Sequence, residues 1–239
     1  MVATRRQPPA RAAGNARFLT ALGLLAAVGV IAIVYVVNQK QTPPAVQTVA
    51  DPASLGPAKG YLLGKPDAPV QIIEFADFEC PACGNFAVVT EPDVRKRIIE
   101  TGLASYHYFD FPLPMHKNTW YASEAAACAN DQGRFWEMHD RLFQGQDQWN
   151  TQATSNPTST FEGYAKDLGL DVAKWRSCYD SQAHVRDIQA NKAEGERRKV
   201  SQTPTFIIGD KEIPGVIPYD QLKAFVDSAA APAKRVATK

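Results

Sequence analysis

Val70-Gln71-Ile72-Ile73-Glu74-Phe75-Ala76-Asp77-Phe78-Glu79-Cys80-Pro81-Ala82-Cys83 is the stretch from which the fold is read. Val70 to Ala76 is a short β-branched and aromatic run, bounded by Pro69 and a polar turn, and it reads as a buried strand. Pro81 then stands where a first helical turn tolerates proline. Two thiols one helical turn apart are within disulfide reach. The first of them, Cys80, meets the unpaired N–H groups and the positive end of the helix dipole. A thiolate there is stabilised, and the thiolate is both the attacking species and the better leaving group. Cys80 is therefore the expected nucleophile and Cys83 the buried resolving partner. The strand-then-helix setting is what makes the motif specific. The pair could also be a structural disulfide, which seldom closes so small a ring, or half of a zinc site. Zinc would want a second close Cys or His pair, whereas Cys128 and Cys178 stand 50 positions apart. Redox chemistry without metal or cofactor is the reading taken.

Working outward, a helix opened by Pro81 is expected to kink or break near Pro92, where Thr90-Glu91-Pro92-Asp93 caps a continuation through Val94, Ile98 and Ile99. Ser105 to Phe111 is the next strand. An alanine-rich helix follows over Trp120 to Cys128, and Phe135, Trp136, Met138, Leu142 and Phe143 recur at helical spacing as core residues. Gln144 to Thr160 reads as a polar loop and Phe161 to Lys199 as mostly helix, with Arg197-Arg198-Lys199 as its solvated basic end. Thr205-Phe206-Ile207-Ile208, a Gly209-Asp210 turn and Glu212-Ile213 make a hairpin. Tyr219 to Ser228 is a closing amphipathic helix. The order is strand, helix, strand, long helical insert, hairpin, helix, an α/β arrangement.

With 45% hydrophobic and 21% charged residues, the 239-residue chain is too apolar for disorder and long enough for a core. Its formal net charge of +1 hides a division. No acidic residue precedes Asp51, while Arg5, Arg6, Arg11, Arg17 and Lys40 make the start basic. The remainder is net acidic and offers no cationic surface for nucleic acid. Phe18 to Val37 is a run of 20 residues without a charge, enough as a helix to span about 30 Å of hydrocarbon. The arginines before it place the N-terminus in the cytoplasm and the rest outside. The competing reading is a cleaved signal peptide, but its apolar region is usually shorter, and the nearest small-x-small site, Thr48-Val49-Ala50, lies well beyond Val37. The expected organisation is a cytoplasmic basic segment over 1–17, a transmembrane anchor over 18–37, a Pro-containing semi-extended tether over 38–60, one domain over 61–229 and a flexible tail over 230–239.

The sequence resembles the DsbA-like branch of the thioredoxin superfamily from about Gly64 to Ser228. Three motifs in the right order carry the resemblance: Glu74 to Cys83, Gln132-Gly133-Arg134-Phe135-Trp136-Glu137-Met138-His139-Asp140, and Thr203-Pro204-Thr205-Phe206. It implies a thioredoxin fold with an inserted helical domain, here about residues 115–199, and a cis Thr203-Pro204 bond. It also implies substrate contacts at Gln202, Thr203 and Pro204, with Pro81 and Ala82 completing the active-site motif. Glu74 resembles the family's acid beneath the active site, which moves protons for the buried cysteine. Strand alternation would point it inward with Ile72 and Ala76, although alternation alone also allows the solvent face. Two departures bear on the redox strength. Well-known members carry histidine where this chain has Ala82, and Glu79 places a negative charge close by, which suggests a milder oxidant. His116 and His139 match positions in the insert but read equally as hydrogen-bonded, partly buried histidines.

The activity implied is extracytoplasmic thiol:disulfide exchange that forms disulfides in exported proteins, from a single-pass anchor in the bacterial cytoplasmic membrane with the catalytic domain on the periplasmic or extracellular face. Exported protein thiols are the implied substrates. A quinone-linked membrane oxidase resembling DsbB or vitamin K epoxide reductase is the implied reoxidant. A membrane-tethered reductant using the same residues in the opposite direction, and a peptide-holding module with only structural cysteines, remain as alternatives. With Cys80 and Cys83 assigned to each other, Cys128 and Cys178 are left for a structural disulfide, the alternative being two buried free thiols.

Overall fold

The computed structural model describes residues 13–41 and 43–236, and they fall into two units that divide after Pro43. In the first unit, helix α1 (Ala13–Gln41) extends beyond both ends of the apolar run. Its described side chains, Phe18 to Val34, are all exposed, among them Phe18, Leu25 and Ile31. Among the described residues no helix is long and apolar enough to cross a membrane. The side chains described in α1 stop three residues short of the end of the 18–37 run. Most of the basic segment, residues 1–12, lies outside the described residues, as do 237–239 of the tail.

The second unit is built on a five-stranded sheet in the order β1-β3-β2-β4-β5. Strand β2 (Gln71–Ala76) is central, parallel to β3 (Ser105–Asp110) and antiparallel to β4 (Thr205–Ile208), which continues through a tight turn into β5 (Lys211–Pro214). Strand β1 (Tyr61–Leu63) pairs antiparallel with β3. At three residues it is too short to show periodicity, and the sequence reading has no strand there. The two faces of β2 bury different side chains. Ile72, Glu74 and Ala76 face the main core with Tyr106, Tyr108, Phe206 and Ile208, while Phe75 meets Phe111 and Val200 in a smaller core behind the sheet.

The helix after Cys80 does not break at Pro92. It runs as α2 (Pro81–Asn85), a π-helical stretch Phe86–Thr90, α3 (Glu91–Val94) and a second π-helical stretch Arg95–Ile99. Thr90 caps nothing with its side chain. Pro92 lacks an N–H and its ring crowds the carbonyl four residues back, and the wider π turn before it absorbs that mismatch without ending the helix.

The insert between β3 and β4 comprises α4 (Thr119–Asn130), α5 (Phe135–Gln144), α6 (Gln146–Trp149), α7 (Thr158–Asp167), α8 (Val172–Ser181) and α9 (Val185–Arg197). The stretch read as a polar loop therefore contains α6, whose Trp149 is fully buried and donates its indole N–H to the Leu142 carbonyl at 2.9 Å. One aromatic among polar neighbours gives no periodicity, so this turn was illegible. Phe135, Met138, Leu142 and Phe143 are core residues, whereas Trp136 is only half-buried against them. Gly195 lets α9 lie directly on the sheet, since a Cβ there would stand 2.5 Å from the Phe111 ring. Closing helix α10 (Tyr219–Val236) continues eight residues past Ser228, because the alanines after Ser228 favour helix over a frayed tail.

Residues 44–60 are not a free tether. Gln189 treats Val49 as a neighbouring strand would, accepting from its N–H at 2.7 Å and donating to its carbonyl at 2.6 Å. Gln182 does the same for Gln47 N–H and the Pro44 and Ala45 carbonyls, Arg186 donates to Ser54 O, and Asn191 accepts from Lys59 and Gly60. Helix side chains thus supply the hydrogen bonds that an extended segment cannot make within itself.

Cys128 on α4 and Cys178 on α8 form a disulfide with a Cα–Cα distance of 5.8 Å, across a sequence separation of 50. Beside it the Trp175 indole donates to Ala125 O, fixing the same two helices. Replacing both cysteines by serine is predicted to lower the unfolding free energy by about 4 kcal/mol, the loop-entropy value for this span. Urea titration of the two proteins checks it, and coincident transitions would contradict a structural role.

Candidate active site

Cys80 ends the turn after β2 and caps α2 with extended backbone, φ −71° and ψ 121°, so that Pro81 occupies the first helical position. Both active-site thiols are free, and Cys83, one turn on, is fully buried while Cys80 is 7% exposed. The Cys80 thiol donates to the Thr203 carbonyl at 3.4 Å. Thr203 precedes Pro204 in a cis peptide bond, both are buried, and Gln202 beside them is exposed. The structure therefore brings Cys80, Cys83, Thr203 and Pro204 together. Gln202 borders them, with Pro81 and Ala82 in the first turn of α2.

The electrostatics separate the two thiols. A hydrogen bond from the Cys83 thiol, aided by the Thr203 side chain and the N–H groups of Cys83 and Ala82, outweighs burial and lowers the Cys80 pKa from 9.0 to about 6. Burial first, and then the Cys80 thiolate itself, push Cys83 well above the ordinary thiol range. One cysteine is thus a thiolate at neutral pH and the other a neutral donor to it.

Glu74 lies on the same face of β2, 2% exposed, with Tyr106 donating its hydroxyl to Oε2 at 2.5 Å. Burial raises the Glu74 pKa well above the carboxylate range, and the Glu91 charge raises it further. A buried carboxyl of this kind holds a proton near neutral pH and can surrender it to a new thiolate. Its charge is also among the causes that raise Cys83, which couples the two groups. Tyr106 was missed because its partner lies 32 residues away and no local pattern marks the contact.

Three further polar side chains hold the active-site turn. Asp77 accepts from Glu79 N–H at 2.7 Å and Leu113 N–H at 2.8 Å, and its Oδ2 pairs with His116 Nδ1 at 2.8 Å, which raises the His116 pKa. Glu79 is 4% exposed and accepts from the N–H groups of Asn118 and Thr151, which tie it to the insert. Gln146 of α6 donates to the Phe78 carbonyl at 2.7 Å and the Cys80 carbonyl at 3.0 Å, close enough that a Cβ on Gly84 would stand 2.9 Å from its amide oxygen. His139 is fully buried, its ring surrounded by Phe78, Tyr108, Phe135, Trp136 and Phe143.

A family model described as thioredoxin matches residues 58–228. The Na(+)/H(+) antiporter NhaA 3 of Salinispora tropica is 34% identical over 74% of this chain, yet the match takes in 26% of that protein. The chain spans about a quarter of the length of the antiporters it matches. Disulfide bond formation protein D of Bacillus subtilis is 25% identical over 70% of this chain and 75% of its own. Among solved structures, alpha-DsbA1 of Wolbachia pipientis superposes with a TM-score of 0.66 at 22% identity, covering 76% of this chain and 96% of that one. BdbD of Bacillus subtilis gives 0.64 at 22% identity, over 74% and 97%. These likenesses establish the fold. The family match takes in the whole sheet and the helices inserted into it, and the chain belongs to the thioredoxin family.

Proposed function

We propose that this chain is a protein thiol:disulfide oxidoreductase that forms disulfides in exported proteins. The observation that carries the reading is the division of labour in the dithiol, with Cys80 at about 6 and Cys83 held neutral. Lowering the pKa of Cys80 stabilises the reduced protein, because only the reduced form has a thiolate to stabilise. At pH 7 a shift from 9.0 to about 6 favours the reduced state by about tenfold, or about 30 mV. The pair therefore tends to accept electrons.

The reaction balances as follows. A substrate thiolate attacks Cys80 Sγ of the oxidised pair, the Cys80–Cys83 bond breaks, and Cys83 leaves with the electron pair. Glu74 gives Cys83 a proton, since a thiolate in that fully buried position is expensive. A second substrate thiolate then attacks the substrate sulfur of the mixed disulfide and releases Cys80 as the stabilised thiolate. The substrate has lost two electrons and the enzyme has gained them. Gln202, Thr203 and Pro204 border Cys80 where the substrate chain must lie.

The place of action is read from the sequence. The uncharged run from Phe18 to Val37, with Arg5, Arg6, Arg11 and Arg17 before it, supports an anchor with its N-terminus inside. The domain from Tyr61 onward then works on the outer face of a bacterial cytoplasmic membrane. The electrons pass to a quinone-linked membrane oxidase of the DsbB or vitamin K epoxide reductase-like kind. No metal or cofactor takes part.

Two outcomes are predicted. The ultraviolet absorbance of the Cys80 thiolate titrates with a midpoint near about 6; a midpoint at the free-cysteine value of about 8.5 removes the basis of the oxidase reading. Cys83→Ala, expressed in intact cells, accumulates exported proteins in mixed disulfides, whereas Cys80→Ser accumulates none. Capture confined to cytoplasmic proteins, or equal capture by both variants, contradicts the proposal.

A further inference from the structure

Where α4 and α8 end and α9 begins, three helices bring a second set of reactive side chains to one corner of the insert. Cys128 lies near the end of α4 and Asp131 caps it, Cys178 lies in the last turn of α8, and His184 caps the start of α9. Cys128 Sγ, Cys178 Sγ and a ring nitrogen of His184 all lie within 4.8 Å of one another. Asp131 Oδ2 stands 2.9 Å from His184 Nε2 and 3.6 Å from Cys178 Sγ. The exchange reaction proposed above uses none of these groups.

The disulfide accounts for the two sulfurs and leaves their neighbours unexplained. A disulfide sulfur has no proton to donate, yet a carboxylate oxygen stands against each of these: Asp131 Oδ2 against Cys178, and Glu124 Oε1, at 3.7 Å, against Cys128. Glu124 is tied to the same corner by the His184 backbone N–H, which donates to Oε1 at 2.9 Å. It is 2% exposed, and among the described residues its Oε2 has no hydrogen-bond partner. An unpartnered acid oxygen in a buried place costs free energy. A cation between the sulfurs and the carboxylates offsets that cost.

The spacing suits zinc. Four ligands held at about 2.0–2.3 Å on a tetrahedron stand about 3.3–3.8 Å from one another. The Cys178–Asp131 separation already has this value. His184 and Asp131 have only a few tenths of an ångström to open, and the sulfurs part once their bond is gone. Thiolate with imidazole selects zinc over the hard cations. His184 Nδ1 faces Asp187 Oδ2 at 3.5 Å, the kind of carboxylate partner that orients a zinc-binding imidazole and leaves Nε2 for the metal. The C-terminal ends of α4 and α8 are the negative ends of two helix dipoles. The Asp131 and His184 side chains are 50% and 22% exposed, so an ion reaches them from solvent.

We propose that the reduced chain holds a zinc ion between Cys128, Cys178, His184 and Asp131, and that this ion and the disulfide are alternative clamps on the same helices. The inference does not rest on the oxidoreductase reading. A chain is synthesised with free thiols, and one that folds before it is oxidised presents the four ligands together. Both thiols give up their protons when the ion binds. A disulfide of another molecule then takes two electrons from the two thiolates. The Cys128–Cys178 bond forms, the S–S bond of the oxidant breaks, and its two sulfurs leave as thiols after taking up two protons. Zn²⁺ is released, because a disulfide sulfur is no longer an anionic ligand.

The test uses the full-length Cys80→Ser/Cys83→Ser protein, in which any metal bound by thiolate reports on the second pair alone. Reduced by a phosphine without oxygen and titrated with Zn²⁺ against a chromophoric chelator, it is expected to take up one ion per chain, and the disulfide form none. With Co²⁺ as probe the reduced form gains the visible absorption of tetrahedral cobalt bound to thiolate. His184→Gln and Asp131→Asn, added to that protein, are each expected to weaken zinc binding about tenfold or more. Equal uptake by the reduced and disulfide forms, or an affinity unchanged in either variant, overturns the site. A second measurement needs no ligand variant. Zn²⁺ is expected to raise the urea midpoint of the reduced protein and to leave that of the disulfide form where it is, since only an ion bound by the folded chain stabilises it. A midpoint in the reduced form that zinc does not raise overturns the proposal.

Discussion

A thiolate at Cys80 is the charge around which this domain is arranged. It sits at the mouth of a helix, where backbone N–H groups are unpaired, and it accepts a hydrogen bond from a neighbour whose own ionisation is opposed by burial. Placing Cys83 one turn deeper, in fully buried surroundings, is what keeps that neighbour a donor. The same placement creates the need for an acid below the site, because whenever Cys83 loses its bond to Cys80 it must be protonated where water does not reach. Glu74 meets that need from the central strand, on the one face of β2 that looks into the main core.

The insert does more than separate the halves of the sheet. Asn118, Gln146 and Thr151 come from it, and all three hydrogen-bond to the active-site turn, either to its backbone carbonyls or to the buried Glu79. Asp77 ties the same turn to the loop after β3 through Leu113 and His116. Acidic side chains in the turn are thus hydrogen-bonded by backbone donors, and Cys80 has its own set of donors in Cys83 and the N–H groups of Ala82 and Cys83. The disulfide between α4 and α8 steadies the helices at the far side of this arrangement.

Much of this was legible in the sequence where the signal is local. The central strand, the dithiol at the start of a helix, the hairpin from Thr205 and the closing helix each announce themselves by residue type within ten positions. What was hidden depends on partners far apart in the chain. The Gln189 amide lies 140 residues from the Val49 backbone it binds, and the Gln146 amide lies 66 from the Cys80 carbonyl. Glu79 looks, in sequence, like a solvated charge beside Cys80, and its burial and two backbone donors come from residues 39 and 72 positions away. Pro92 was expected to kink or break the helix because proline removes a hydrogen bond, but a π turn accommodates that loss while the helix continues.

The reduction potential of the Cys80–Cys83 pair, measured in glutathione buffers across pH, tests the central claim most directly. The account predicts a value at neutral pH on the oxidising side of the thioredoxin value of about −270 mV, displaced by roughly 20–30 mV. It also predicts a pH slope that steepens from about 30 mV to about 60 mV per unit as pH falls through the titration of Cys80, because reduction then takes up two protons and not one. A potential at or below the thioredoxin value, with no change of slope near a pH of about 6, would contradict the claim that thiolate stabilisation at Cys80 makes this protein an oxidant.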